Sequence, residues 1–141
     1  MKIIFLDIDG VLNSANDKFS QKLETKKHLN LLEKLVKKTN AKIVLSSSWR
    51  GIPSLRKIVE NKMQEIDAEI IDATRSLPGT RGSEIKDWMK DKDIESFVIL
   101  DDDSDMDEMT ETNLVLTDSN KGLQKEDIEK ALKILNRKED K

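Results

Sequence analysis

The sequence predicts an α/β fold: three layers around a five-stranded, mainly parallel sheet. Two observations carry that reading. Five short apolar runs, IIFL (3–6), IVL (43–45), EII (69–71), FVIL (97–100) and LVL (114–116), are spread along the chain. Segments with apolar residues at helical spacing separate them, and repeated strand–helix alternation builds parallel sheets covered on both faces.

Taken in order, the runs are β-branched or aromatic-rich without polar alternation, except EII, which suits strands buried on both faces. Leu29, Leu32, Leu35 and Val36 give the first helix one apolar stripe, and Thr39-Asn40 supplies a stop. Leu55, Ile58, Val59 and Ile66 form a second stripe after Ser54, a candidate N-cap. Ile85, Trp88 and Met89 follow Ser83, a second cap candidate, and Ile128, Ala131, Leu132 and Leu135 make the closing helix. The polar stretch 13–26 reads as a loop or small flap, and the segment NRKEDK as a solvated tail. One domain over 1–136, with 137–141 frayed, is the expected organisation.

Composition narrows the function. The 141 residues carry 25 bases against 28 acids, a net charge of −3, which argues against an extended basic surface for nucleic acid. Cysteine is absent, so disulfides and thiolate metal sites are excluded. The apolar start is too short for a signal peptide, and no run approaches the ~20 apolar residues of a membrane span. A soluble, cytoplasmic protein of open oligomeric state is expected.

Three polar clusters begin where an apolar run stops: DIDG after IIFL, SSSWR after IVL and DDDSDMD after FVIL. Open parallel sheets bind ligands beyond the carboxyl ends of their strands, so these clusters are expected to share one rim. Convergence of Asp7, Asp9, Asp101 and Asp102 has a cost, since two carboxylates about 4 Å apart repel by roughly 4 kcal/mol at an effective dielectric near 20. A hard divalent cation removes the conflict, and an oxygen-only donor set favours Mg²⁺.

These motifs resemble those of the haloacid dehalogenase-like (HAD) superfamily, most of whose members are Mg²⁺-dependent phosphatases with a Rossmann-like core. FLDIDGVLN is similar to the family's DxDG[TV] motif. The resemblance implies Asp7 as the nucleophile that becomes an aspartyl phosphate. It implies Asp9 as the acid–base residue, its backbone carbonyl also touching the metal, and Gly10 as relief for the turn. It further implies a phosphate-binding serine after the second strand, Ser46 first and Ser47 next. A basic residue near a helix start is implied as well, Arg81 or Lys86, where most relatives use Lys. Asp101 and Asp102 resemble the late acid pair that holds the metal, with Asp107 or Asp105 as its third member.

The acid at position 9 favours phosphoryl transfer over dehalogenation, and the chain has no inserted cap domain. SSSWR, RGSEIKDWM and the late GL are similar to small uncapped HAD domains of nucleic-acid repair proteins. That implies phosphorylated substrates such as nucleotides or polynucleotide ends.

Plainer roles stand beside these. Asp103, Asp105 and Glu108 can be solvated loop acids, Ser47 and Ser48 can bond local backbone, and Trp49 and Trp88 can be packing residues. Arg50 can bind a substrate phosphate or pair with an acid, and His28 is expected to be exposed. Two other functions remain to be weighed. A receiver-like phosphoacceptor would carry its acid pair after the first strand, not the fourth. A HAD-like domain that only binds a partner would need none of the acids. No GxxxxGK[ST] loop occurs, which disfavours a kinase.

Overall fold

A computed structural model describes residues 1–13 and 26–137, apart from the side chains of Ser48 and Trp49. Most of the loop expected over 13–26, the last four tail residues and the packing role of Trp49 therefore lie outside the described residues. The elements run β1 (Lys2–Leu6), α1 (Lys26–Thr39), β2 (Lys42–Leu45), a 3-10 turn (Ser48–Gly51), α2 (Pro53–Glu65) and β3 (Ile70–Ala73). They continue as α3 (Arg81–Met89), β4 (Ser96–Asp101), α4 (Met109–Thr112), β5 (Leu114–Leu116) and α5 (Lys125–Leu135).

The strands form one sheet in the order β3-β2-β1-β4-β5, and every pairing is parallel. Successive side chains of a strand point to opposite faces, which explains why the central runs are apolar at every position. Ile4 and Leu6 pack with Ile43, Leu45, Val98 and Leu100 against Leu32 and Leu35 of α1, Val59 and Met63 of α2, and Ile128 and Leu135 of α5. Ile3, Phe5, Val44 and Ile99 face the other way, onto Ile85 and Trp88 of α3 and Met109 of α4. The result is a three-layer Rossmann-like α/β core with no large separate cap domain among the described residues. No helix among them is long and apolar enough to cross a membrane.

Both expected serine caps are displaced. α2 starts at Pro53, which has no N–H to satisfy, so Ser54 lies inside the first turn and Ile52 caps without a side-chain bond. α3 is capped by Thr80, whose hydroxyl accepts from the Ser83 N–H at 3.0 Å, and Ser83 sits inside the helix. The stop after α1 is where Thr39-Asn40 placed it, with Asn40 at φ 57°. The expectation of an exposed His28 is overturned: its ring is buried, with Nε2 2.8 Å from the Lys121 carbonyl. Its partner comes from the loop before α5, which packs on α1 and is invisible from the lysines beside it in sequence.

Candidate active site

Strand β1 is central, and the sheet order reverses between β1 and β4, the place where loops diverge and leave a crevice. Backbone bonds carry the ladder past the strand ends. The Asp7 N–H donates to the Leu100 carbonyl at 3.0 Å, and the Ser46 N–H to the Leu6 carbonyl at 3.1 Å. Asp7, Ser46 and Asp101 are thereby held at one rim. Carboxylate oxygens of Asp7, Asp101 and Asp102 lie within 4.8 Å of one another.

Gly10 makes that approach feasible. Its φ is +82°, and a Cβ built there would stand 2.2 Å from Asp102 Oδ2. Any other residue would meet both a backbone penalty and a collision with this carboxylate.

Arg81 opens α3 against the cluster. Its Nη1 lies 3.4 Å from Asp7 Oδ1 and 3.6 Å from Asp101 Oδ2, and it also donates to the Ser46 carbonyl. Burial alone would lower the Arg81 pKa, but Asp101 and Asp7 outweigh it and the net shift is upward. Burial is also the main force on the acids. It pushes Asp7 up to about 6 against the pull of Arg81. Burial together with the Asp7 charge pushes Asp101 up to about 9. One guanidinium does not balance three convergent carboxyls.

A second observation bears on what would. Asp101 Oδ2 and Ser46 Oγ are buried without a hydrogen-bond partner among the described residues, an arrangement native interiors rarely leave uncompensated. A buried carboxylate oxygen with a 3.6 Å ion pair but no hydrogen bond, in an all-oxygen donor set, fits a hard divalent cation such as Mg²⁺.

The remaining expected residues divide. Asp9 is buried beside the cluster, but its carboxylate is outside the convergent trio, and Oδ1 accepts from Asn13 Nδ2 at 2.9 Å. Ser47 is buried, and its carbonyl accepts from Arg50 Nη1 at 2.8 Å. Of the two readings of Arg50, pairing is the one present: Nη2 meets both oxygens of Glu84 at 3.1 and 3.2 Å. Lys86, one and a half turns into α3, does not reach Asp7 but pairs with Asp107 at 3.1 Å and Glu108 at 2.6 Å.

Asp107, expected as a metal ligand, likewise does not join the trio. It sits at φ 53° and accepts from the Thr80 hydroxyl at 3.2 Å as well as from Lys86. Asp105, its rival, is exposed, with its N–H on Asp103 Oδ1. Trp88 packs edge-on against Phe5 and donates Nε1–H to Asp72, a packing role.

Four residues at the site escaped sequence reasoning: Asn13, Thr80, Glu84 and Thr117. Glu84 joins Arg50 to the Leu77 N–H, tying α3 to two loops. Thr117, just past β5, donates to the Gly10 carbonyl at 2.7 Å. Thr80 carried a readable signal, a threonine three residues before a serine, and Asn13 another, an amide four residues after Asp9 in a glycine turn. Glu84 and Thr117 carried none, because their partners are distant in sequence.

Comparison with known proteins agrees with this geometry. No curated protein and no solved structure matches the chain. The model for the family described as the HAD domain in Swiss Army Knife RNA repair proteins matches residues 3–128. That span reaches from β1 into α5 and takes in every residue of the acidic rim, so the chain belongs to this family of HAD domains.

Proposed function

We propose that the protein is a Mg²⁺-dependent phosphomonoester hydrolase that works through an aspartyl phosphate on Asp7. The observation that supports this most is the meeting of Asp7, Asp101 and Asp102 at the β1–β4 switch point with Arg81 against Asp7. The carboxylates of Asp7, Asp101 and Asp102 would hold the cation, with the Asp9 carbonyl joining them as in the family. Mg²⁺, when bound, neutralises the carboxylates and offsets charge on the phosphoryl oxygens.

The chain's own groups divide the chemistry. An oxygen of Asp7 attacks phosphorus, and the bond from phosphorus to the ester oxygen breaks. Asp9 gives its proton to that leaving oxygen, then takes one from the water that cleaves the aspartyl phosphate and frees inorganic phosphate. Arg81 keeps Asp7 oriented, and the Ser46 hydroxyl, without a hydrogen-bond partner among the described residues, is available to a phosphoryl oxygen. Ser47 would bind substrate beside it. Arg50 acts on the substrate side chiefly by fixing the Ser46–Ser47 backbone, and Lys86 and Asp107 by fixing the start of α3.

The family description and the uncapped rim favour large phosphorylated substrates, nucleotides or polynucleotide ends, over small enclosed ones. Hydrolysis of para-nitrophenyl phosphate with Mg²⁺ and with EDTA tests the activity. Asp7→Asn should lower it by about 10⁴-fold or more with the fold intact. Turnover persisting in that variant, or undiminished in EDTA, would refute the reading.

A further inference from the structure

The DIDGVLN turn ends on a buried amide that the chemistry above leaves without a role. Asn13 is fully buried, and both ends of its side chain are used inside the turn. Its Oδ1 accepts from the Gly10 N–H at 2.8 Å, and its Nδ2 donates to Asp9 Oδ1 at 2.9 Å. Only one orientation of the amide satisfies both, because a backbone N–H needs the oxygen and an ionised carboxylate needs the NH₂.

The turn is closed from behind by the segment between β5 and α5. The Thr117 hydroxyl holds the Gly10 carbonyl, and the Leu123 N–H donates to the Val11 carbonyl at 2.7 Å. Gly122, at φ +70°, approaches so closely that a Cβ would stand 2.9 Å from the Asn13 carbonyl and 2.7 Å from His28 Nε2. His28, in contact with the Lys121 carbonyl, braces the same segment from α1. Little room is left for Asn13 to turn away.

We propose that Asn13 is a positioning residue for the acid–base carboxylate. Its NH₂ holds Oδ1 of Asp9 and thereby sets the direction in which the carboxyl group delivers its proton to the leaving-group oxygen. The inference rests on the reading of Asp9 as the proton donor. It has a chemical signature, because p-nitrophenolate leaves without a proton near neutral pH, whereas an alkoxide must be protonated as its bond to phosphorus breaks. A purely structural role would slow both substrates alike.

The test compares kcat/KM for para-nitrophenyl phosphate and methyl phosphate in the full-length, Mg²⁺-loaded wild type, Asn13→Ala, Asn13→Asp and Asp9→Asn. Asn13→Asp keeps an acceptor for the Gly10 N–H but, when ionised, cannot donate to Asp9, so assayed above the pH at which the two carboxyls share a proton it separates the turn from the carboxylate. General acid catalysis contributes about 10²–10⁴-fold, and a displaced acid should lose part of that. Both Asn13 variants should fall roughly 10- to 100-fold on methyl phosphate and less than about 3-fold on para-nitrophenyl phosphate. Equal falls on both substrates in Asn13→Asp, with Asp9→Asn still discriminating, would overturn the positioning role alone. Equal falls in Asp9→Asn would overturn the reading of Asp9 and this proposal with it. A readout independent of turnover is the Asn13 side-chain amide, whose protons should exchange slowly in metal-free wild type and fast in Asp9→Ala. Unchanged exchange would also overturn the proposal.

Discussion

Gly10 concentrates the demands of the site in one residue. It needs a positive φ, and it leaves the space into which Asp102 moves toward Asp7. Gly10→Ala should therefore lower Mg²⁺ affinity, measured by calorimetry, by roughly 10- to 100-fold, the usual effect of disturbing groups around a metal's ligands. Affinity equal to wild type would mean that Asp102 is not a ligand. At this scale the meeting of Asp7, Asp101 and Asp102 was legible in the sequence because both acidic stretches begin where an apolar run stops, whereas Arg81 and Lys86 stood there as alternatives. The roles of Asp107 and Arg50 were not legible. Whether a charge faces a cation or a countercharge depends on residues such as Lys86 and Glu84, and sequence spacing does not report on those partners.

Helix α3 is the element on which the site turns. It presents Arg81 to Asp7 from its first residue and Glu84 to Arg50 one turn later, and Arg50 and Arg81 meet at the Ser46 carbonyl. The Arg50–Glu84 pair is mostly shielded from solvent, so removing one partner strands the other's charge. Glu84→Ala should cost about 3 kcal/mol, a fall of roughly 10 °C in Tm. Thr80→Ala, which removes the cap of α3, should cost about 1 kcal/mol. Denaturant titration of the two variants checks both figures, and a Glu84→Ala loss no larger than that of Thr80→Ala would contradict this ranking. The central strands β1, β2 and β4 were readable because burial on both faces leaves continuous apolar runs. By contrast β5, expected to be buried on both faces, is an edge strand with Leu116 exposed, as β3 is with Ile71. The caps were not readable, because a Pro at 53 and a Thr at 80 displaced the nearby serines, and α4, of four residues, is too short to show a period.

For the whole molecule, the acidic rim couples stability, pH and metal. Asp7 and Asp101 are raised above their ordinary value, to about 6 and about 9. The metal-free folded state therefore retains protons that the unfolded chain releases above about pH 4. Their contribution to stability is full below that pH and is lost as pH rises through 6 and toward 9. Mg²⁺ binds the ionised carboxylates, so its stabilising effect should grow over the same range. Thermal melts in EDTA and in Mg²⁺ at pH 5 and pH 8.5 should show a larger Mg²⁺-induced rise at the higher pH, reduced in Asp101→Asn. A shift independent of pH would mean that the cation binds elsewhere.

The central claim is that a phosphoryl group passes through Asp7, and trapping it is the most direct test. Protein mixed with a phosphomonoester and Mg²⁺, quenched in acid and reduced with tritiated borohydride converts an aspartyl phosphate to labelled homoserine. The account predicts label in the peptide that carries Asp7, dependent on substrate and Mg²⁺ and absent from Asp7→Asn. Label at another acid, or hydrolysis proceeding with no label trapped, would contradict it.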